Sequence, residues 1–154
     1  MVAQHAVTTT RSSGTLVARV VVTLAGAAGL VVGGFLEWWH TTAGTNLDYK
    51  AFYQTTFATT DNFVQTAGFA AIVLGLVAVV GLATSGWLTR LAGALAIAGF
   101  VLYAVQVYRA DTSLAAIMVG AWLMLAGGVV ALIGGFLERP TVVVAAPVDV
   151  VDET

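Results

Sequence analysis

Four runs of about twenty predominantly apolar residues divide the chain, each long enough to cross a bilayer core of roughly 30 Å as an α-helix. They cover residues 16–39, 63–83, 91–108 and 114–137. Lipid offers no hydrogen-bond partner to a backbone N–H or C=O, so a spanning segment has to satisfy its own polar groups, as a helix does. The alternating pattern of a membrane β-barrel is not present. The expected fold is all-α, an integral membrane four-helix bundle over residues 16–137. A flexible N-terminal tail (1–15), an outer loop (40–62) and a flexible acidic C-terminal tail (138–154) complete the organisation.

Composition agrees with that architecture. Of 154 residues, 59% are hydrophobic and 9% charged, against about 45–50% and about 25% in soluble domains. A water-soluble monomer is excluded. Six Lys and Arg against eight Asp and Glu give a formal charge of -2, so no broad basic surface exists to neutralise a nucleic-acid backbone. With 0 cysteines, the chain forms no disulfide, thiolate metal site or cysteine nucleophile.

The first apolar run is longer than the core of a cleavable signal peptide and reads as a signal anchor. Orientation follows from the basic residues that flank the spans. Arg11, Arg19, Arg90 and Arg139 fall on one side, Lys50 and Arg109 on the other, which places both termini in the cytoplasm. Trp38, Trp39, Trp87 and Tyr108 stand at span ends, where aromatic belts form, and Trp122 stands inside a span.

Helices associate in lipid through close packing, so small residues four apart are candidate seams. Ala25, Gly29 and Gly33 form one such ladder, and Gly127, Ala131 and Gly135 another. The outer loop carries Tyr49, Phe52, Tyr53 and Phe57, too apolar for a free connection. Asn46 or Asp48 is placed to cap a short helix that presents these aromatics to a partner or to the interface, and Asp61 or Asn62 to cap the second span.

Polar side chains inside a membrane are costly and are functional candidates by default. Glu37, Gln65, Tyr103, Gln106 and Arg109 all fall near the outer end of the spans, with Glu37 and Arg109 as an expected ion pair. The inner half shows little beyond Thr23, which disfavours a through-membrane path of polar stepping stones. His5 falls in the N-terminal tail and His40 in the outer loop, so the spans offer no facing pair of histidines for a haem within the bundle. Glu37, His40 and Asp48 lack an evident fourth metal ligand, and no phosphate-binding glycine loop or GxSxG motif occurs. The expectation is a non-enzyme without cofactor or metal.

The span ending Gly34-Phe35-Leu36-Glu37-Trp38, the long outer loop, and the turn Gly86-Trp87-Leu88-Thr89-Arg90 leading into Leu91-Ala92-Gly93 follow one another in a characteristic order. Over about residues 16–137 that order resembles small four-span membrane proteins of actinobacterial type. Five Arg to one Lys fits a GC-rich genome. Thr89-Arg90-Leu91-Ala92-Gly93 is also similar to a stretch of DoxX-like four-helix proteins. These resemblances imply the bundle and transfer no activity or residue role. The functional expectation is a non-catalytic accessory or assembly subunit of a larger membrane complex, respiratory or envelope-related. The alternative is a small carrier or binder of a lipid or quinone-like molecule. The partners expected are membrane lipids and either a larger complex or further copies of the chain.

Overall fold

The computed structural model describes residues 13–84, 86–111 and 113–137. Four helices run up and down alternately: α1 (Ser13–Phe35), α2 (Ala67–Val80), α3 (Trp87–Asp111) and α4 (Val119–Phe136). Three of them, α1, α3 and α4, are long and apolar enough to cross a membrane, while α2 is a shorter apolar helix. Large apolar side chains such as Leu24, Val32, Leu76, Leu95, Leu102 and Ile133 are exposed on the outside of the bundle, the arrangement expected of helices that face hydrocarbon. The C-terminal tail and nearly all of the N-terminal tail lie outside the described residues.

The helix limits differ from those read in the sequence, for local reasons. The first run was expected to continue to residue 39, but α1 stops at Phe35. Its apolar continuation turns back: Glu37–Trp39 (β1) pairs antiparallel with Thr42–Ala43 (β2), and the Trp38 indole Nε1 donates to the Gly33 carbonyl over 2.8 Å, capping the helix end. Hydropathy does not distinguish a strand returning into the core from one more helical turn. His40, in the tight hairpin turn, takes a φ of 48°, a left-handed conformation that such turns require and that His tolerates better than most residues.

The second helix is shorter than the expected 63–83. Residues Phe63–Gln65 form a 3-10 turn capped by the Asn62 side chain, and Thr66 caps α2 itself by accepting from the Phe69 N–H. At its other end the chain tightens into 3-10 geometry, with Leu82, Ala83 and Thr84 donating to Val79, Val80 and Gly81. A rise of about 1.5 Å per residue in α2 and about 2 Å in that tail carries the segment from 67 to 84 over roughly 29 Å. Helix α3 starts earlier than expected, at Trp87, and runs to Asp111. Helix α4 starts later, after a capped 3-10 turn at Leu114–Ala116.

The most extensive helix contact joins α1 to α4, and it is made by backbone. A Cβ placed on Gly29 would stand 3.0 Å from the Gly127 Cα, one on Gly26 2.5 Å from the Ala131 N, and one on Gly33 2.9 Å from the Gly120 O. Ala25, by contrast, is exposed. Each four-residue step turns about 400°, so a ladder spaced strictly by four drifts around the helix, whereas alternate steps of three and four stay on one face. The buried row on α1 is accordingly Arg19, Thr23, Gly26, Leu30 and Gly33. On α4, Gly127 and Ala131 face α1, but Gly135 belongs to another row and meets Arg90 of α3.

The core changes character along the bundle. At the loop end it is bulky, built around Leu30, Trp38, Phe100, Tyr103 and Met124. At the end bearing the termini it consists of Ala27, Ala78, Ala92 and Ala131.

Candidate functional site

The loop end of the bundle is covered by a folded cap. Asp48 accepts from the Lys50 N–H at 2.9 Å and so caps the 3-10 helix Tyr49–Phe52, as the sequence suggests. Asp48 Oδ2 also lies 3.5 Å from Lys50 Nζ, which joins an exposed ammonium to a largely buried carboxylate. Residues 46–48 pair antiparallel with 58–60 through Asp48 N to Ala58 O (2.9 Å) and Thr60 N to Asn46 O (2.9 Å). A bridge between Trp39 and Ile117 ties β1 to the segment before α4.

Trp38 is the hub of this cap. It is fully buried, with edge contacts to Phe52 at 6.0 Å and Tyr103 at 5.4 Å. Its carbonyl accepts from the Tyr103 hydroxyl at 2.7 Å and from the Met118 N–H at 3.0 Å. Trp39 stacks on Phe57 at 4.1 Å, and Phe57 meets Tyr103 edge-on. Phe52 and Phe57 therefore help to close the bundle. Tyr49 and Tyr53 remain exposed, 6.0 Å apart. The Tyr53 phenol is raised above its ordinary value by desolvation first, then by its hydrogen bond and charge coupling with Tyr49 and by the Asp48 carboxylate.

The five outer polar residues do not converge. Tyr103 and Gln106 are buried in α3, whereas Glu37, Gln65 and Arg109 are exposed. The Glu37–Arg109 ion pair is not formed; the ion pair found among the described residues is Lys50–Asp48. Gln106 is 7% exposed, and its Oε1 is buried without a hydrogen-bond partner. Among the described residues no group of three metal-ligating side chains is close enough to hold an ion.

Two concavities open at this end. One, of about 630 Å³, lies between the end of α1 and the start of the second apolar run and is lined by Phe35, Thr45, Asn46, Thr59, Thr60, Asp61 and Phe63. The other is an apolar groove of about 300 Å³ along α3, lined by Phe100, Val101, Ala104, Val105, Tyr108, Arg109 and Leu114.

The opposite end holds polar groups that hydropathy conceals. Arg19 is 3% exposed and donates to the Gly81 and Thr84 carbonyls at 3.4 and 3.3 Å. Thr89 donates to Ala78 O at 3.0 Å, and Thr84 Oγ1 to Gly81 O at 3.0 Å. Three side chains from α1, α3 and the turn thus satisfy carbonyls in the last turn of α2 and in the turn that follows it. Arg90 does the same for α4, donating from Nε to Gly135 O at 2.6 Å with its guanidinium 4.5 Å from the Phe136 ring centroid. Both arginines sit where the helix dipole favours a cation. This end of the bundle, where the sequence offered Thr23 alone, is thus richer in polar groups than expected. The sequence signal was an arginine one turn inside an apolar run, read as flanking charge.

Comparison with protein-family models, curated proteins and solved structures finds no match for this chain.

Proposed function

We propose that the protein is a multi-pass protein of the cell membrane, with all four helices spanning and both termini cytoplasmic. It serves there as a non-catalytic accessory or assembly subunit of a larger membrane complex, respiratory or envelope-related. The observation that carries this reading is the backbone contact between α1 and α4 at Gly29 and Gly127. It consumes the best helix-packing surface inside the chain, so engagement with another molecule falls to the lipid-facing helix sides and to the rigid cap with its exposed Tyr49 and Tyr53. The 18-residue reach of residues 67–84, with its carbonyls satisfied by Arg19, Thr84 and Thr89, supports four crossings rather than three.

The test is mild extraction of the tagged chain from its native membrane, native-size separation and mass spectrometry of what comigrates. A larger protein in fixed stoichiometry is the expected result. Recovery of the chain alone, or only as a homo-oligomer, overturns it.

One observation favours a second reading, a binder of an apolar molecule such as a lipid or quinone. The groove along α3 is apolar along its length and counts the exposed Arg109 among its lining residues, a pairing suited to an acyl or isoprenoid chain with a polar head. Arg109→Gln lowering lipid or quinone retention, with assembly unchanged, is the result that distinguishes it.

A further inference from the structure

The cleft between α1 and the second apolar run differs in chemistry from the groove on α3. Its wall is set by paired backbone, since Thr60 N donates to Asn46 O and Leu47 bridges to Thr59. Thr45, Asn46, Thr59, Thr60 and Asp61 line it, together with Phe35 and Phe63. Among the described residues, no side-chain hydrogen bond engages Thr45, Asn46, Thr59 or Asp61, while the Thr60 hydroxyl accepts from the Asn62 N–H at 3.2 Å.

This set of groups selects by charge and by hydrogen-bond type. Asp61 is the one ionisable side chain lining the cleft, so an anionic head such as a phosphate meets a carboxylate and no compensating cation. Threonine hydroxyls and the asparagine amide both donate and accept, and the carboxylate accepts. A ligand whose own groups both donate and accept, at several adjacent positions, satisfies them best, and a polyhydroxylated ring has that property. Phe35 is the last residue of α1 and Phe63 opens the turn before α2. Both rings are exposed, 56% and 45%, at the level where the helices end. A hydroxyl-rich head lying among the threonines therefore has its apolar portion beside two exposed aromatic residues at the helix ends. The volume of about 630 Å³ falls within the range of small-molecule sites, roughly 300–1,000 Å³.

We propose that this cleft binds an uncharged, hydroxyl-rich saccharide head, supplied by a glycosylated membrane lipid. The assignment stands apart from the subunit reading, because it concerns a cleft that the helix faces do not share.

The test uses the purified full chain in phosphatidylcholine nanodiscs doped with monoglucosyl diacylglycerol, with plain diacylglycerol, or with phosphatidylglycerol. Lipid retained after release is counted by native mass spectrometry, and methyl glucoside is titrated separately. The glucosyl lipid is expected to be retained about tenfold over plain diacylglycerol, the yield of one or two added hydrogen bonds, and phosphatidylglycerol not to be enriched. Asn46→Ala and Asp61→Ala are each expected to reduce that preference several-fold with helical content unchanged by circular dichroism. Asp61→Asn keeps the saccharide and admits phosphatidylglycerol. Saturable binding of methyl glucoside with no preference for the lipid-linked form keeps the chemistry and makes the source a free saccharide. Equal retention of glucosyl and plain diacylglycerol, preference for phosphatidylglycerol by the unmodified chain, or indifference to substitutions that leave the fold intact overturns the proposal.

Discussion

The hydroxyl of Tyr103, in the outer part of α3, donates over 2.7 Å to the backbone carbonyl of Trp38, a residue 65 positions earlier in the chain. Through this bond a helix expected to cross the membrane holds the cap in register, and the same carbonyl takes a second bond, from the Met118 N–H at 3.0 Å.

Because the Trp38 carbonyl keeps its second donor, Tyr103→Phe is expected to destabilise the protein by only about 1 kcal/mol. Trp38→Ala removes a fully buried indole and the cap on Gly33 together, and is expected to cost about 3–5 kcal/mol. Thermal unfolding in detergent, followed by tryptophan fluorescence for the first variant and circular dichroism for both, measures the difference. Equal losses would show that the hydroxyl, not the ring, holds the cap.

Glycine positions separate into those that tolerate a methyl group and those that do not. A Cβ on Gly127 would lie 2.7 Å from the Leu30 N and 2.8 Å from the Gly26 O, both backbone, whereas one on Gly99 would meet the flexible Met124 Cε at 3.2 Å. Gly127→Ala is expected to destabilise by about 1–3 kcal/mol, and Gly99→Ala by less than 1 kcal/mol or not at all. Parallel denaturation in the same detergent reads both.

Arg19→Leu leaves the Gly81 and Thr84 carbonyls without their charged donor and is expected to lose about 1.5–3 kcal/mol. Arg19→Lys is expected to recover only part of this: both bonds leave the single nitrogen Nη2, which an ammonium can imitate, but lysine carries a more strongly hydrated point charge that costs more to bury. Hydrogen exchange should show faster opening of residues 77–84 in both variants while α3 keeps its protection. Uniform loosening of the whole bundle would argue against a local clamp.

With 0 native cysteines, single introduced thiols report topology directly. Thr55→Cys in the cap and Ala83→Cys in the opposite turn place exposed thiols at the two ends of the bundle. In intact cells an impermeant maleimide is expected to label the first, and to reach the second only after the membrane is opened. Labelling of both from the same side would mean that the segment containing α2 does not cross.

The helices were legible in the sequence because length and hydropathy respond to the same lipid constraint that selects helix. Asp48 as cap of the Tyr49–Phe52 turn was legible too, since an acidic residue before an aromatic cluster has a short-range purpose. Trp38 was not. A tryptophan at a span end reads as an interfacial anchor, and only the hairpin at His40 turns it back into the core. The packing row of α1 was half legible: glycines mark close approach, but spacing by four pulls in Ala25, which the helix rotates away. Arg19 was misread as a flank because a charge near the end of an apolar run looks the same whether it reaches water or bonds the carbonyls of a neighbouring helix. Glu37, Gln65 and Arg109 share a depth in sequence, but depth carries no azimuth, and their faces diverge.

The contact between α1 and α4 joins two helices that α2 and α3 separate along the chain. At about 5–20 residues synthesised per second, α1 waits some seconds in the bilayer with its glycine face uncovered before its mate emerges from the ribosome. During that interval the nascent chain has an open seam shaped for close backbone approach, which is available to an insertase or to a neighbouring nascent copy. Packing of α4 onto α1 ends the opportunity, so biogenesis, more than the finished bundle, is the stage at which this protein is exposed to mispairing.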